Sequence, residues 1–471
     1  MHRGRAAVHF YLLTTLLANY LINFLACYLT TCCFIIIFVK TSVTQMVILG
    51  TFVFFLVVAV FIFATYGTSS QNASPDQIEI WGTMSEGDVS KILSGLKDRY
   101  RTQAIPVISY RGIKRDEFDN ILTESLADGV GPDVVLIPND LIITNQKRLT
   151  TIGYDLLSER DYKDSFIEGS EILLTGEGPL AVPVVVDPLV MYWNRDYLTS
   201  KGVARAPATW EEMISIIDRL TEKEEDRKIV KSAIAFGDFG NVKYAKDILL
   251  MLIIQSGGRL IERDEKDQLV NMFLEVKIED IYPLSSSISF FTQFSDPLKP
   301  IYSWNRSLSD SEQAFLNGDL AFYFAPASEA ENIRTKSPSL NFDVAPVPQP
   351  KNGKFKKVSG HIFGFSILNS SQKKQAAFEA ISLLTNYDSA KMFAELTNLP
   401  PARRDLLQSP AGTAFGDVFW RSAVWTFPWL DPNPRQTDQI FGEAIDSVVT
   451  GKLKLENISG FISSRIDELV R

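Results

Sequence analysis

The chain has 471 residues with 47 Lys and Arg against 56 Asp and Glu, yet its first 75 residues contain no acidic side chain. Removing Arg3, Arg5 and Lys40 from the basic total leaves 44 against 56, a formal charge of −12 on the remainder; an acidic surface with no basic stripe interleaved with aromatics excludes nucleic acid as a partner. The only cysteines, Cys27, Cys32 and Cys33, lie in the apolar N-terminal stretch, which excludes disulfides and thiolate metal sites from the remainder, so its fold must rest on core burial and its length points to two or more domains.

In chain order the first elements are two apolar runs, Phe10 to Val39 and Val43 to Tyr66, each long enough to cross a bilayer core. Two full spans would return the chain to the side where it began. His2, Arg3, Arg5 and His9 precede the first run and hold that end inside by the cytoplasmic bias of Lys and Arg. The expected arrangement is one transmembrane signal anchor at 39–66, with 1–38 an extra apolar segment or a mis-called start, and the soluble part on the extracytoplasmic face of the membrane. Residues 67–76, rich in Ser, Gly, Asn and Pro, read as a flexible linker.

Beyond the linker, Gln77 to Trp81 reads as a strand and Asp88 to Tyr100 as an amphipathic helix with Val89, Ile92, Leu93 and Leu96 on one face. Ile105 to Tyr110 is a second strand, Arg115 to Asp128 a second helix, and Asp133 to Ile137 a nearly continuous apolar third strand of the kind buried in parallel sheets. Strands alternating with helices predict an α/β fold, in which ligands bind beyond the carboxyl ends of the strands. Thr83, Ser85 and Glu86 after the first strand, with Asn139 and Asp140 after the third, occupy those ends. Thr209 with Glu212 three residues on forms a capping box and starts a helix. Pro183 and Pro188 bracket Val184 to Asp187, and Pro346 and Pro348 bracket Val347; both read as stiff extended crossings, which suggests a hinge.

Several blocks in shared order resemble the extracellular solute-binding proteins of the maltose-binding type over 77–471. Ile78-Glu79-Ile80-Trp81 resembles the family's opening strand, and Gly131-Pro132-Asp133-Val134-Val135 its "GPDI" strand. Tyr192-Trp193-Asn194-Arg195-Asp196-Tyr197-Leu198 resembles "YNKDL", Pro207-Ala208-Thr209-Trp210-Glu211-Glu212 resembles "P.TWEE", and the run from Phe315 to Phe322 resembles "F..G..AM". The resemblance implies a two-lobed periplasmic-binding-protein-like fold of type II, with lobe one at 77–185 and 348–399, lobe two at 188–345 and 402–471, and the ligand cleft between them. It also implies a substrate-binding component of an ABC-type importer, with permease subunits as partners, a carbohydrate ligand and no cofactor.

On the same resemblance Asp187 matches a hinge carboxylate that bonds ligand hydroxyls, and carboxylates suit vicinal sugar hydroxyls because they accept without donating. Asp140 resembles the carboxylate following the third strand, with Ile137 in place of a flanking aromatic. Tyr323 and Phe324 end a strand where the family places a stacking aromatic; one of the two must point into the core. His361 stands between Gly360 and Gly364 at the entrance to a lobe-one strand. Trp304, Trp425 and Trp429 have Ser, Pro and Gly neighbours, where an indole is hard to explain as helix or strand core, and at least one should face the cleft. The rival reading is a membrane-anchored glycoside hydrolase, which would need two carboxylates about 5 to 10 Å apart. No Gly-x-Ser-x-Gly elbow, His-Glu-x-x-His, P-loop or Cys/His cluster is present in the sequence.

Overall fold

The computed structural model describes residues 77–471 apart from 103–104, 279, 281, 409–411 and 471, together with scattered positions between 44 and 58. The expected segments 1–38 and 67–76 lie outside the described residues, as does most of the anchor expected at 39–66. Among the described residues no helix is long and apolar enough to cross a membrane. Pro75–Arg471 forms one compact unit, and the buried hydrophobic cluster of the described residues takes no member from before Ile78.

Ten strands form one sheet. They are β1 (Gln77–Gly82), β2 (Val107–Gly112), β3 (Val134–Pro138), β4 (Leu149–Thr150), β5 (Val182–Asn194), β6 (Glu222–Lys223), β7 (Ile229–Ile234), β8 (Leu320–Pro326), β9 (Phe342–Ala345) and β10 (Gly360–Leu368). The order is β2-β1-β3-β10-β5-β8-β7-β6, with β9 also on β5 and β4 also on β10. The helices that bear on the site are α1 (Glu86–Arg99), α2 (Arg115–Ala127), α3 (Asn139–Thr144), α4 (Trp210–Leu220), α5 (Ala245–Gln255), α6 (Glu329–Lys336) and α7 (Pro434–Val449).

The first half of the sheet follows from its sequence. β1 pairs in parallel with both β2 and β3, and all five β3 residues are buried, as a continuous apolar strand covered on both faces requires. α1 starts where Ser85 accepts a bond from the Asp88 amide and buries Val89, Ile92 and Leu96. In the second half, Thr209 Oγ1 accepts from the Glu212 amide at 3.2 Å, so Thr209 caps α4 as expected, while Glu212 accepts from the Ala208 amide at 2.8 Å, one residue before the Thr209 amide that a full capping box would use.

The halves are joined by β5, thirteen residues long. Its stretch from Val182 to Pro188 pairs with β10, and from Leu189 onward it pairs with β8 and β9. Partners change at Asp187-Pro188. Proline has no amide to give a ladder, and here none is needed: the Pro188 carbonyl accepts from Ala327 and the next amide, Leu189, donates to Ser359. Pro183 falls where the β5–β10 register shifts, another position a sheet grants to proline. Gly360 is required beside this switch, because a Cβ there would lie 2.8 Å from the Asp187 carbonyl oxygen. Residues 400–402 return to the first half: Pro400 accepts from Val186, and Ala402 donates to Val184.

Candidate functional site

At the carboxyl end of β3 the chain turns into polar residues that have left water. Asn139 and Asp140 open α3 and are buried. Asn139 is fully engaged, accepting from the Ile362 amide at 2.9 Å and donating to the Trp429 carbonyl at 3.0 Å. It ties α3 to β10 and to the C-terminal segment. One Asp140 oxygen is bonded by Arg115, the first residue of α2, while the other faces His361 Nδ1 at 3.8 Å. On its far side His361 Nε2 lies 3.6 Å from Asp247, in the first turn of α5. His361 thus bridges a carboxylate of the first half of the sheet and one from a helix of the second. Burial alone would lower the His361 pKa, but the Asp247 and Asp140 carboxylates outweigh it and hold the imidazole above its ordinary value of 6.5.

Beside Asp247, Lys246 binds Asp431 at 3.1 Å and the Thr437 hydroxyl of α7 at 3.2 Å. Burial pushes the Asp431 carboxyl up to about 6 against the pull of Lys246. Asp187, opposite His361 in the β5–β10 register, is buried and accepts from the Ser328 amide at 2.9 Å and its hydroxyl at 2.6 Å. Burial raises its pKa and the two Ser328 bonds oppose the rise. Ser328 stands at the mouth of α6, where Glu329 accepts from the Tyr244 hydroxyl at 2.7 Å.

Seven buried side-chain polar atoms among the described residues have no hydrogen-bond partner, and four of them are Thr83 Oγ1, Asp140 Oδ1, Tyr323 OH and His361 Nδ1. A buried polar atom without a partner costs about 1–3 kcal/mol. Carboxylate acceptors beside hydroxyl and imidazole groups can complete their bonds with a hydroxyl-bearing solute.

A sequence profile described as "Bacterial extracellular solute-binding protein" matches residues 109–418, two thirds of the chain. The chain belongs to that family. Solved structures give the solute-binding fold. A cyclo/maltodextrin-binding protein complexed with maltotetraose is 16% identical, with 85% of this chain and 99% of that one covered at a TM-score of 0.66. The sugar-binding protein MalE from Xanthomonas citri is 18% identical, covering 84% and 97% at 0.66. The cyclic α-maltosyl-1,6-maltose binding protein from Arthrobacter globiformis is 13% identical, covering 84% and 99% at 0.66. None of the curated proteins matches the sequence at a significant level.

The structure of this solute-binding protein gathers Asp140, His361 and Asn139 into one network, with Asp187 beside His361 on the neighbouring strand. Other expected positions fall elsewhere. Trp304 is core: it is 1% exposed and its indole nitrogen donates to Asn241 at 2.8 Å, so a buried amide from a distant segment satisfies the indole away from the cleft. Phe324 is also core, stacked on Trp210 with centroids 5.9 Å apart and 13° between planes. Tyr323, buried against Phe315 at 5.4 Å, keeps only its hydroxyl available. Trp425 lines a separate cavity of about 390 Å³ with Val347, Gln349 and Lys356. Ser85 and Glu86 are exposed, and their oxygens are taken locally: Ser85 caps α1, and Glu86 accepts from the Gly112 amide at 3.1 Å.

Sequence reasoning missed Arg115, Ser328, Lys246, Asp247 and Asp431. One signal was available. Lys246 and Asp247 stand at the head of α5, whose remaining residues from Ile248 to Ile254 are all apolar, and two charges entering a buried helix need partners.

Proposed function

We propose that this protein is the extracytoplasmic substrate-binding component of an ABC-type importer, closing two lobes on a sugar or oligosaccharide and passing it to a membrane permease. The lobes are 77–185 with 348–399, and 188–345 with 402–471, and residues 400–402 at their boundary bond to the lobe-one part of β5. The apolar runs before residue 67 anchor the chain, with the soluble part outside. No turnover of the ligand is expected.

The observation that carries this reading is the set of unpartnered polar atoms on Thr83, Asp140, Tyr323 and His361, placed at strand ends and along the seam where β5 changes partners. Hydroxyl groups of a sugar supply both donors and acceptors to such atoms. The saccharides in the names of the structural relatives point to the same chemical class. Because the described core draws on nothing before Ile78, the 75–471 fragment is the material to test. A thermal-shift and native mass-spectrometry screen against mono- and oligosaccharides, polyols and glycerol phosphates should find a stoichiometric ligand. At 100 times its dissociation constant it adds about 2.7 kcal/mol of stability. Saturation with that ligand should also reduce the radius of gyration in small-angle scattering. Stabilisation by none of the carbohydrates would overturn the ligand class, and chromatography showing released product would move the case to a hydrolase.

A further inference from the structure

The loop between β9 and β10 carries the sequence Lys351-Asn352-Gly353-Lys354-Phe355-Lys356-Lys357, four cations in seven residues of a chain whose formal charge is −9. Its base is pinned. The Lys357 amide donates to Gln349 Oε1 at 3.0 Å, and Gln255 donates to the Lys357 carbonyl at 2.9 Å and to the Pro348 carbonyl at 3.2 Å. Its tip is open, with Phe355 78% exposed. Across a cavity from the loop lie Arg421 and Trp425, whose ring Lys356 Nζ covers at 4.6 Å, and next to them Val424 is 58% exposed. None of the fifteen residues lining that cavity is acidic, although the chain holds 56 acidic residues. The positive charge is therefore concentrated at this loop, with Glu211 and Glu212 at the edge of the cavity.

We propose that this loop, with Arg421 and Val424 beside it, is a docking surface for an anionic lipid bilayer. An aromatic ring held out between lysines fits a membrane interface, where the ring enters the headgroup level and the flexible ammonium groups reach back to lipid phosphates. An acidic protein segment would satisfy the lysines but give no reason for a bare phenyl group at the tip. The apolar runs at 10–39 and 43–66 also make a bilayer the surface this chain meets. The acidic charge over the rest of the unit disfavours other faces, so contact through 351–357 fixes one orientation. That loop continues from the second crossing at 345–350 into β10, which carries His361.

The test is flotation of the 75–471 fragment with vesicles of phosphatidylglycerol in phosphatidylcholine and with pure phosphatidylcholine. Binding should require the anionic lipid and weaken as salt rises. The double variant Lys354→Glu, Lys356→Glu should lower the partition coefficient at least about tenfold, and Phe355→Ala should lower it further by several-fold, both with unchanged thermal midpoints. Absence of binding to phosphatidylglycerol vesicles, or equal binding by the variants, would overturn the proposal. So would polyglutamate binding as tight as vesicle binding and indifferent to Phe355→Ala, which would assign the surface to an acidic protein partner.

Discussion

The two halves of the sheet solve the same burial problem with different side chains. Around β1 and β3 the fully buried residues are mainly aliphatic, with Ile78, Ile80, Ile92, Leu122, Val134 and Leu136 at most 1% exposed and Phe118 and Phe365 the rings among them. Around β7 and β8 they are rings, with Phe236 within 5.5 Å of Phe291, Phe294 and Phe324, and Tyr192 and Tyr323 against Phe315. A half packed with rings consumes its aromatic residues as core, so aromatic content there carries no information about a ligand. In the other half the buried polar pair Asn139 and Asp140 stands at the carboxyl end of β3. The site is therefore easier to find from carboxylates and histidine than from indoles.

The largest expected effect tests that division. Trp304→Ala in the aromatic half should cost about 3–5 kcal/mol, whereas Ile78→Val in the aliphatic half should cost about 0.5–1.5 kcal/mol, both read from urea midpoints of the 75–471 fragment. If Trp304→Ala left stability intact and weakened solute binding, the ring would belong to the cleft and the comparison would fail.

How far the sequence reached follows the same line. β1, β3, α1 and the Thr209 cap were legible because their causes are local: period, cap and turn residues lie within a few positions of one another. The continuity of β5 was not, since Pro183 and Pro188 read as brackets around a crossing, and only the exchange of partners from β10 to β8 shows why a strand tolerates them. Asp140, Asp187 and His361 were singled out by resemblance, and Asp140 also by its place after the third strand. Arg115 and Asp431 were not, because what marks them is contact across 25 residues in one case and 185 in the other. Trp304 lies in the core for a simple reason: Ser and Pro neighbours read as irregular chain in the sequence, but Asn241 was available to satisfy a buried indole.

The second effect concerns binding rather than folding. Asp187→Asn and Asp140→Asn keep the shape of each side chain and remove its charge, and each should weaken the carbohydrate by more than about 1.5 kcal/mol, over tenfold in dissociation constant. Phe324→Leu in the aromatic core should leave affinity unchanged. Titration calorimetry on the fragment decides this, and wild-type affinity in both Asp variants would place the ligand elsewhere.

The smallest effect comes from the seam between the halves, where His361 faces Asp140 and Arg115 from one side and Asp247, Lys246 and Asp187 from the other. Its folded pKa stands above the unfolded value of 6.5, so the protonated imidazole contributes stability that is complete below 6.5 and lost as pH rises through the folded value. Asp247 is held below its ordinary value of 3.8, because the raising effect of burial is outweighed by His361 and Lys246; its contribution is present above 3.8 and lost only in acid. Asp431, raised from 3.8 to about 6, loses stability as pH climbs through that range, and its limb runs into the start of the His361 window. The part of the decline above 6.5 that depends on His361 is the histidine's own signature, and substitution isolates it. The effect is small because burial opposes the same charge that the carboxylates favour. His361→Gln, which keeps a donor but cannot be charged, should flatten the profile above pH 6.5 while leaving the Asp431 limb in place. A decline that persists unchanged in His361→Gln would mean that the two halves are not held together through this residue, and the seam would have to be sought in the Asn139–Trp429 contact instead.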